Sequence, residues 1–332
     1  MSKGFKGHLT AKEQEYSRII IGYIESYQSE WVFYNADFDS VYNTLKAVLQ
    51  LHPEYFWVTA ACTAKTVTRG SQTTLTLKPE MNEYIGGVPE MRRRFDRAVD
   101  AFITEAKKRS SVLYEQILYL HDLIVINTDY VLNAKHCYDA YGCLVNRRAV
   151  CAGYAAAFQV LMQKLSVECG RTEGWRVGEK SKDPTHEWNY IRLSDGYCFV
   201  DVTWDDPVIY DSSCTDNLTH DFFCLDLNEL RLTHIPSSDQ FIPGAYGTKY
   251  NYYRYNGWEL ARYSFAAASA LAERQLRTSD TFYIKFGSER ETKAALKDLI
   301  DARRVYSIPG MSTRSITYNV SKSGLILSVQ KR

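Results

Sequence analysis

Apolar residues recur at helical spacing near the start of the chain. Four of them mark one face of a predicted helix: Val41, Leu45, Val48 and Leu49. Asp39 or Ser40 can cap the start of this helix, and Pro53 ends it. The apolar stretch SEWVFYN precedes the helix, and YFWVTAACTAKTV and TTLTLKP follow it as two predicted strands around a turn at Gly70. The pattern therefore predicts a small strand–helix–hairpin unit.

The C-terminal segment repeats this order of elements. TFYIKF (281–286) predicts a strand, ERETKAALKDLIDARR a helix, and SITYNVSKSGLILSVQ a hairpin that turns at Ser323-Gly324. Amino-acid identity between the two ends is too low to infer a repeat. We therefore expect similar small units at both ends of the chain without claiming a common origin.

The middle of the chain changes from helical to strand periodicity. VPEMRRRFDRAVDAFITEAKK and SVLYEQILYLHDLIVINTDY predict two long amphipathic helices, the second with a stripe extending to Tyr130. Cys151 opens a third helix, with apolar residues at Tyr154, Phe158, Leu161, Met162 and Leu165. HEWNYIRL (186–193) and YCFVDVTW (197–204) then alternate as two strands around SDG. This order predicts an α+β fold with three parts, residues 1–85, 86–262 and 263–332.

Composition limits the class of protein more than it identifies a function. The chain has 332 residues, of which 45% are hydrophobic and 24% charged, and these values are typical of a globular protein. A formal net charge of +1 gives no reason to expect a nucleic-acid partner. No apolar run approaches the length that a membrane span needs, about 20 residues. The first residues have no apolar core of the kind that a signal peptide contains. We expect a cytoplasmic protein, and secretion of a processed form stays open. The oligomeric state stays unknown.

Cysteine usage favours free thiols. Eight cysteines occur, but a chain of this size does not need a disulfide framework, and no CxxC pair suggests a zinc ribbon. No calcium-binding loop of recognisable pattern is present either. We therefore expect neither a cofactor nor a metal ion.

Cys151, His186 and Asp201 form the candidate catalytic constellation. The start of a helix presents unpaired N–H groups and a positive dipole end, a setting that favours thiolates in general. A nearby imidazole can take the thiol proton, and a carboxylate behind it can fix its tautomer. Backbone N–H groups near Cys151 can then hold an oxyanion.

Strand alternation places His186 and Asp201 on one face of the predicted hairpin. With a tight turn at Asp195-Gly196, Asp201 would pair with Tyr190, four residues or about 13 Å from His186. A direct contact therefore requires a different turn, a bulge or strong twist. We predict that the turn is not an ideal Asp-Gly turn.

Each candidate also has a structural interpretation when it is taken alone. A cysteine before an alanine-rich helix is usually a core residue, and a histidine at a strand start is usually a hydrogen-bonding residue. Asp201 lies between valines, and a buried carboxylate needs a partner. Trp188 and Trp204 are interpreted as core residues, and Asp205-Asp206-Pro207 as the exit from the strand.

Taken together, these segments resemble the bacterial transglutaminase-like superfamily. AVCAGYAAAFQ contains the family's V-C-x-G-Y-A pattern, HEWN its H-x-W-N pattern and DVTWDDP its D-x-T-W-D-D-P pattern, in the family's order. The clear resemblance covers roughly residues 110–210, and HPEYFWV (52–58) is similar to the family's N-terminal region. The resemblance implies a papain-like cysteine-hydrolase core, in which a helix bearing the nucleophile packs on an antiparallel sheet.

The sequence departs from the family pattern in two places. Ala152 follows the cysteine, where many relatives have a polar residue, and Glu187 replaces the alanine of H-A-W-N. Glu187 should point away from the face of His186, so we expect it to be tolerated. His136 and Cys137 form a competing pair, for which we expect no orienting acid.

The sequence thus predicts a cysteine-dependent acyl-transfer enzyme that acts on peptide or glutamine-type amides. Water as acceptor would make it a protease or amidase, and an amine would make it a transglutaminase. A catalytically weak binding or scaffolding protein is the alternative, with the tyrosine-rich stretch 246–263 as a peptide or glycan surface or simply as loop packing. A metal site that uses His186 and Asp201 is a third interpretation.

Overall fold

The computed structural model describes residues 9–206, 218–238 and 240–332. Helices and mostly antiparallel sheets confirm the predicted α+β class. By internal contacts the chain divides into a first unit (Met1–Arg192, Phe199–Thr219 and Ile235–Gly244) and a second unit (Leu193–Cys198, His220–His234 and Ala245–Arg332). This division cuts the chain differently from the three predicted parts, which stay a prediction.

The helices and strands have the following bounds. The α-helices are α1 (Ala11–Glu25), α2 (Phe38–Leu51), α3 (Val88–Arg109), α4 (Leu113–Asn127), α5 (Cys151–Lys164), α6 (Leu227–Leu230), α7 (Tyr252–Tyr255), α8 (Phe265–Leu276) and α9 (Glu289–Ala295). The strands are β1 (Trp31–Tyr34), β2 (Val58–Arg69), β3 (Gln72–Met81), β4 (Asp129–Tyr130), β5 (Arg148–Ala149), β6 (Cys169–Arg176), β7 (His186–Leu193), β8 (Gly196–Val200), β9 (Phe223–Leu225), β10 (His234–Pro236), β11 (Glu259–Leu260), β12 (Thr281–Phe286), β13 (Ile316–Val320) and β14 (Ile326–Lys331).

The N-terminal elements form the predicted strand–helix–hairpin arrangement. Their sheet has the order β1-β3-β2, and the side chains of Leu75 and Leu77 on β3 are fully buried. The cap of α2 is Asp37 rather than Asp39 or Ser40. Its carboxylate accepts a hydrogen bond from the Ser40 N–H at 2.8 Å. The cap prediction failed because several polar residues precede this helix, and periodicity does not select among them.

The three candidate residues, Cys151, His186 and Asp201, belong to the first unit. Strands β6, β7 and β8 are neighbours in that order, and β6 and β7 are antiparallel. Helix α5 contacts β6, and the Asn189 side-chain amide on β7 donates to the Ala155 carbonyl at 3.0 Å. Ala155, Ala156 and Ala157 are buried, and their small side chains allow this close approach.

The second unit contains the C-terminal sheet, with the order β11-β12-β14-β13. Its buried apolar core includes Phe282, Ile284 and Phe286 from β12 and Leu327 from β14. In both terminal sheets the strand before the helix pairs with the second strand of the hairpin. The predicted strand–helix–hairpin order is therefore confirmed at both ends.

Two further findings concern the whole of the described chain. Among the described residues, none of the helices combines the length and apolar character that a bilayer span requires. The seven described cysteines are free thiols: Cys62, Cys137, Cys143, Cys151, Cys169, Cys198 and Cys224. Cys214 and Pro207 lie outside the described residues.

Candidate active site

Cys151 is the first residue of α5, as predicted, and it is partly exposed. The preceding residue, Val150, is extended, and no side chain caps the helix start. The first-turn N–H groups of a helix have no partners within the helix and carry the positive end of its dipole. Cys151 therefore lies at the positive end of the helix dipole.

His186 and Asp201 are in direct contact. The imidazole Nε2 lies 2.6 Å from the Asp201 Oδ2, and both side chains are buried, with 8% and 1% of their surfaces exposed. The Cys151 side chain also forms a hydrogen bond with the His186 side chain. Because Nε2 faces Asp201, the ring nitrogen on the side of Cys151 is Nδ1. The structure thus brings all three predicted residues together.

The position of the hairpin turn explains this contact. Strand β7 ends at Leu193 and β8 begins at Gly196, so Ser194 and Asp195 form the turn, one residue earlier than an ideal Asp-Gly turn. Counted from a two-residue turn at Ser194-Asp195, Asp201 would fall opposite position 188, two residues from His186 rather than four. Diagonal neighbours on antiparallel strands lie about 7–8 Å apart, which the two side chains can span. The prediction of a non-ideal turn is confirmed.

Asp201 is held by its second oxygen. Its Oδ1 accepts hydrogen bonds from the backbone N–H groups of Thr203 at 3.0 Å and Trp204 at 3.1 Å. The carboxylate therefore has its lone pairs directed both to the backbone and to the imidazole. This arrangement fixes the orientation of His186, as a carboxylate behind a catalytic histidine does.

Two tryptophans flank the imidazole. The ring centroids of Trp188 and Trp204 lie 5.8 Å and 5.5 Å from that of His186, at interplanar angles of 30° and 31°. The sequence analysis interpreted both as core residues. Strand parity explains why Trp188, two residues after His186 on β7, lies beside the imidazole. Trp204 reaches the imidazole through the turn that follows Asp201.

The environment of His186 favours its protonated form. Burial by itself lowers the pKa of the imidazole, because a charge is poorly solvated there. The charge and hydrogen bond of Asp201, with a further contribution from Cys151, outweigh burial and raise the pKa of His186 to about 10. An imidazolium is therefore expected at neutral pH.

Tyr130 is a neighbour of Cys151 that the sequence analysis missed. Strand β4 pairs in parallel with β5, and Tyr130 is opposite Ala149, two residues before the cysteine. The Tyr130 hydroxyl faces the backbone N–H of Cys151, and burial, with the nearby Cys151 charge, raises the tyrosine pKa. The helical stripe had assigned Tyr130 to α4, but that helix ends at Asn127.

Glu187 has a structural partner. Its carboxylate accepts a hydrogen bond from Arg171 Nη1 at 3.0 Å, and Arg171 Nε donates to Gln159 of α5 at 2.9 Å. Burial raises the pKa of Glu187, with the charge of Arg171 acting in the opposite direction. Glu187 and Arg171 line an open cavity of about 590 Å³, which Asn43, Tyr138 and Asp139 also line. The departure from H-A-W-N is therefore accommodated by an ion pair.

The expectation about His136 was wrong in one respect. We expected no orienting acid beside His136 and Cys137, but Asp139 Oδ2 lies 2.6 Å from Nδ1 and Glu83 Oε1 lies 2.8 Å from Nε2. Glu83 is 53 residues away in sequence, so no local pattern could reveal it. The Cys137 thiol is buried and donates weakly to the Leu132 carbonyl.

Two pairs of residues in the first unit have the types of ligand atom that metal ions bind. His186 with Asp201, and His121 with Asp122, place ligand atoms close enough to share an ion. In both pairs, however, a ring nitrogen and a carboxylate oxygen already share a hydrogen bond, at 2.6 Å in the first pair and 3.0 Å in the second. Asp201 then acts as an orienting group rather than a ligand in the proposal below.

Solved structures that are similar to the chain include a TGase and a cysteine protease, described below. No protein-family model and no curated protein matches the chain. A TGase is similar at a TM-score of 0.30 and 11% identity, over 56% of this chain and 53% of that one. A "Putative Cysteine Protease from Cytophaga hutchinsonii" is similar at a TM-score of 0.28 and 14% identity, over 44% and 63%. The chain thus spans less than two thirds of the length of each protein. Because both TM-scores are low, the interpretation of the candidate site depends on the geometry described above.

Proposed function

We propose that this protein is a cysteine-dependent acyl-transfer enzyme that acts on peptide or glutamine-type amides. The observation that carries the proposal is the buried 2.6 Å contact of His186 with Asp201 beside a cysteine at a helix start. A thiol, an imidazole and an orienting carboxylate are the three groups that nucleophilic acyl transfer requires. Cys151 is the nucleophile, His186 the acid and base, and Asp201 the orienting residue.

In the first half-reaction the Cys151 sulfur attacks the amide carbon and forms a tetrahedral oxyanion. The donors we assign to this charge are the Cys151 backbone N–H and the Tyr130 hydroxyl that faces it. The C–N bond then breaks, and protonated His186 gives its proton to the leaving amine or ammonia. A thioester on Cys151 and a neutral imidazole remain.

In the second half-reaction the neutral imidazole accepts a proton from the incoming nucleophile. Water attacking the thioester yields a carboxylic acid, and a primary amine yields a new amide. Either route releases the Cys151 sulfur and returns the proton to His186. The proposal therefore covers protease or amidase chemistry and transglutaminase chemistry with one set of residues.

Alkylation by iodoacetamide tests the nucleophile. At mildly acidic pH we expect rapid labelling of Cys151, its loss in Cys151→Ala, and no such loss in Cys62→Ala. Ammonia release from a glutamine-containing peptide, with and without a small primary amine, then distinguishes water from amine as acceptor. Labelling confined to another cysteine, with Cys151 inert, would falsify the proposal. Peptide binding without turnover would favour the binding-protein alternative.

A further inference from the structure

The His136 imidazole is held between two carboxylates at a buried position. Its ring nitrogens lie 2.6 Å from Asp139 Oδ2 and 2.8 Å from Glu83 Oε1, and only 2% of the side chain is exposed. A neutral imidazole has one N–H donor, so while both carboxyl groups are ionised and can only accept, both contacts are hydrogen bonds only when the ring is protonated. The imidazolium thereby joins the segment after β3 to the turn before β5.

The turn that contains His136 packs closely against the start of α5. The Cys137 carbonyl accepts a hydrogen bond from the N–H of Val150 at 2.8 Å, and Val150 directly precedes Cys151. The same carbonyl lies so close to Gly153 that an added Cβ there would meet it at 2.6 Å. Asp139 Oδ1 accepts from the N–H of Gly142 at 3.1 Å and so fixes the other end of the turn.

Charged groups around His136 come from three segments. Lys135 pairs with Glu83, and Asp139 lies on the turn itself. Helix α3 contributes Arg94, whose guanidinium lies 5.9 Å from the Tyr141 ring centroid, and Glu90, whose charge also reaches that tyrosine. Phe56 and Tyr141 pack on the imidazole. Burial opposes the charge of His136, but Asp139 and Glu83 raise its pKa overall.

We propose that protonated His136 is a positioning residue for Cys151, which it holds in place through the contact of Cys137 with Val150. This inference deepens the proposed function and rests on it, since it concerns the same nucleophile. His136 takes no part in the chemistry and does not contact the sulfur. When the imidazolium loses its proton or is replaced by a neutral group, one carboxylate contact is lost and the helix start is less well fixed.

The test measures iodoacetamide labelling of individual cysteines by mass spectrometry in the full-length protein. In His136→Gln we expect the rate at Cys151 to fall about tenfold at neutral pH, because small displacements of a reacting group are costly. Cys62, which is partly exposed on β2, should be labelled at the wild-type rate, and buried Cys143 should stay protected. His136→Lys restores a cation and should recover most of the loss.

A second variant keeps the proposal testable if His136→Gln does not fold. A raised pKa means that the stabilising contact is complete at low pH and disappears as the pH rises through that pKa. Glu83→Gln removes one of the carboxylates, so rapid Cys151 labelling should be lost at lower pH than in wild type. Glu105→Gln, at an exposed surface ion pair with Lys108 on α3, is the matched control and should leave the profile unchanged.

The inference is overturned by wild-type labelling of Cys151 in folded His136→Gln, by failure of His136→Lys to recover it, or by identical profiles of the two glutamate variants. Labelling of Cys143 together with slowed labelling of Cys151 would mean that His136→Gln unfolds generally, and the Glu83→Gln profile then decides: a profile equal to that of the control overturns the inference. An unreactive Cys151 in the wild-type protein contradicts the proposed function instead. The two failures are therefore distinguishable.

Discussion

The hydrogen bond between His186 and Asp201 determines the charge of the imidazole. Because Asp201 is 1% exposed, water screens its charge poorly, and the pKa of His186 rises from an ordinary 6.5 to about 10 despite burial. Folding thus gains stability from the imidazolium at pH below 6.5, and this gain is lost as the pH rises through about 10. In the proposed mechanism this proton is the one that passes to the leaving amine.

Asp201→Asn should therefore lower kcat by about 10³–10⁴-fold, since the amide no longer favours the charged and correctly oriented imidazole. The alkaline limb of kcat/KM, expected near pH 10 in wild type from the pKa of His186, should move to lower pH. Steady-state rates on a glutamine-containing peptide between pH 5 and about 11 measure both effects. An unchanged alkaline limb would show that His186 is not the titrating acid.

Tyr130 is the second residue whose role a single substitution can test. Tyr130→Phe removes only the hydroxyl that faces the Cys151 N–H, and loss of one oxyanion donor lowers kcat by about 10²-fold. KM should change little, because the oxyanion exists only after attack. Tyr138→Phe, at a side chain that is 68% exposed, is the control. Equal kcat values for the two variants would remove Tyr130 from the mechanism.

The sequence revealed some of these residues and not others, for physical reasons. Sequence patterns could point to Cys151, His186 and Asp201 as candidates, because a helix start, strand parity and the cost of a buried carboxylate are local properties. Sequence patterns did not point to Tyr130, since the helical stripe that includes it continues past the actual end of α4 at Asn127. They did not point to Glu83 either, because its contact with His136 depends on how distant segments pack.

At the level of elements, helix α5 must approach the preceding turn closely enough to fix its first residue. Gly153 makes this possible, since an added Cβ would lie 2.6 Å from the Cys137 carbonyl oxygen and 2.8 Å from the Ala149 Cβ. The alanine-rich composition predicted the helix. It did not identify Gly153 as the close contact, because periodicity contains no information about what packs against a face.

Gly153→Ala should displace the start of α5 and destabilise the protein by about 1–3 kcal/mol, although alanine is the better helix former. Cys151 labelling should slow at the same time. Gly22→Ala in α1 is the matched control, because nothing lies within 4 Å of its added Cβ, and it should stabilise by about 0.5–1 kcal/mol. Urea unfolding measures both changes. If the two variants shift stability in the same direction, the close approach at Gly153 is not limiting.

At the scale of the whole molecule, each compact unit has its own interior, and that of the second contains buried charges. Lys285 is 2% exposed, and its Nζ lies 2.8 Å from Glu229 Oε1, which Arg254 Nη2 also contacts at 2.7 Å. The sequence did not predict this network, since TFYIKF alternates like any half-buried strand and Glu229 lies on a different element. A charge in such a setting is tolerated only while its counter-charge is present.

Glu229→Gln keeps the shape of the side chain but leaves Lys285 buried without its counter-charge. We expect a loss of about 3–5 kcal/mol, because removing one partner of a buried ion pair leaves the other poorly solvated. Glu273→Gln, which breaks the more exposed pair with Arg277, should change stability by less than about 0.5 kcal/mol. The local probe is Cys224, fully buried in the second unit, whose thiol should react at lower urea concentration in Glu229→Gln than in Glu273→Gln. Equal urea dependence of Cys224 labelling in the two variants would mean that the ion pair does not hold this unit together, and that its apolar core alone does so.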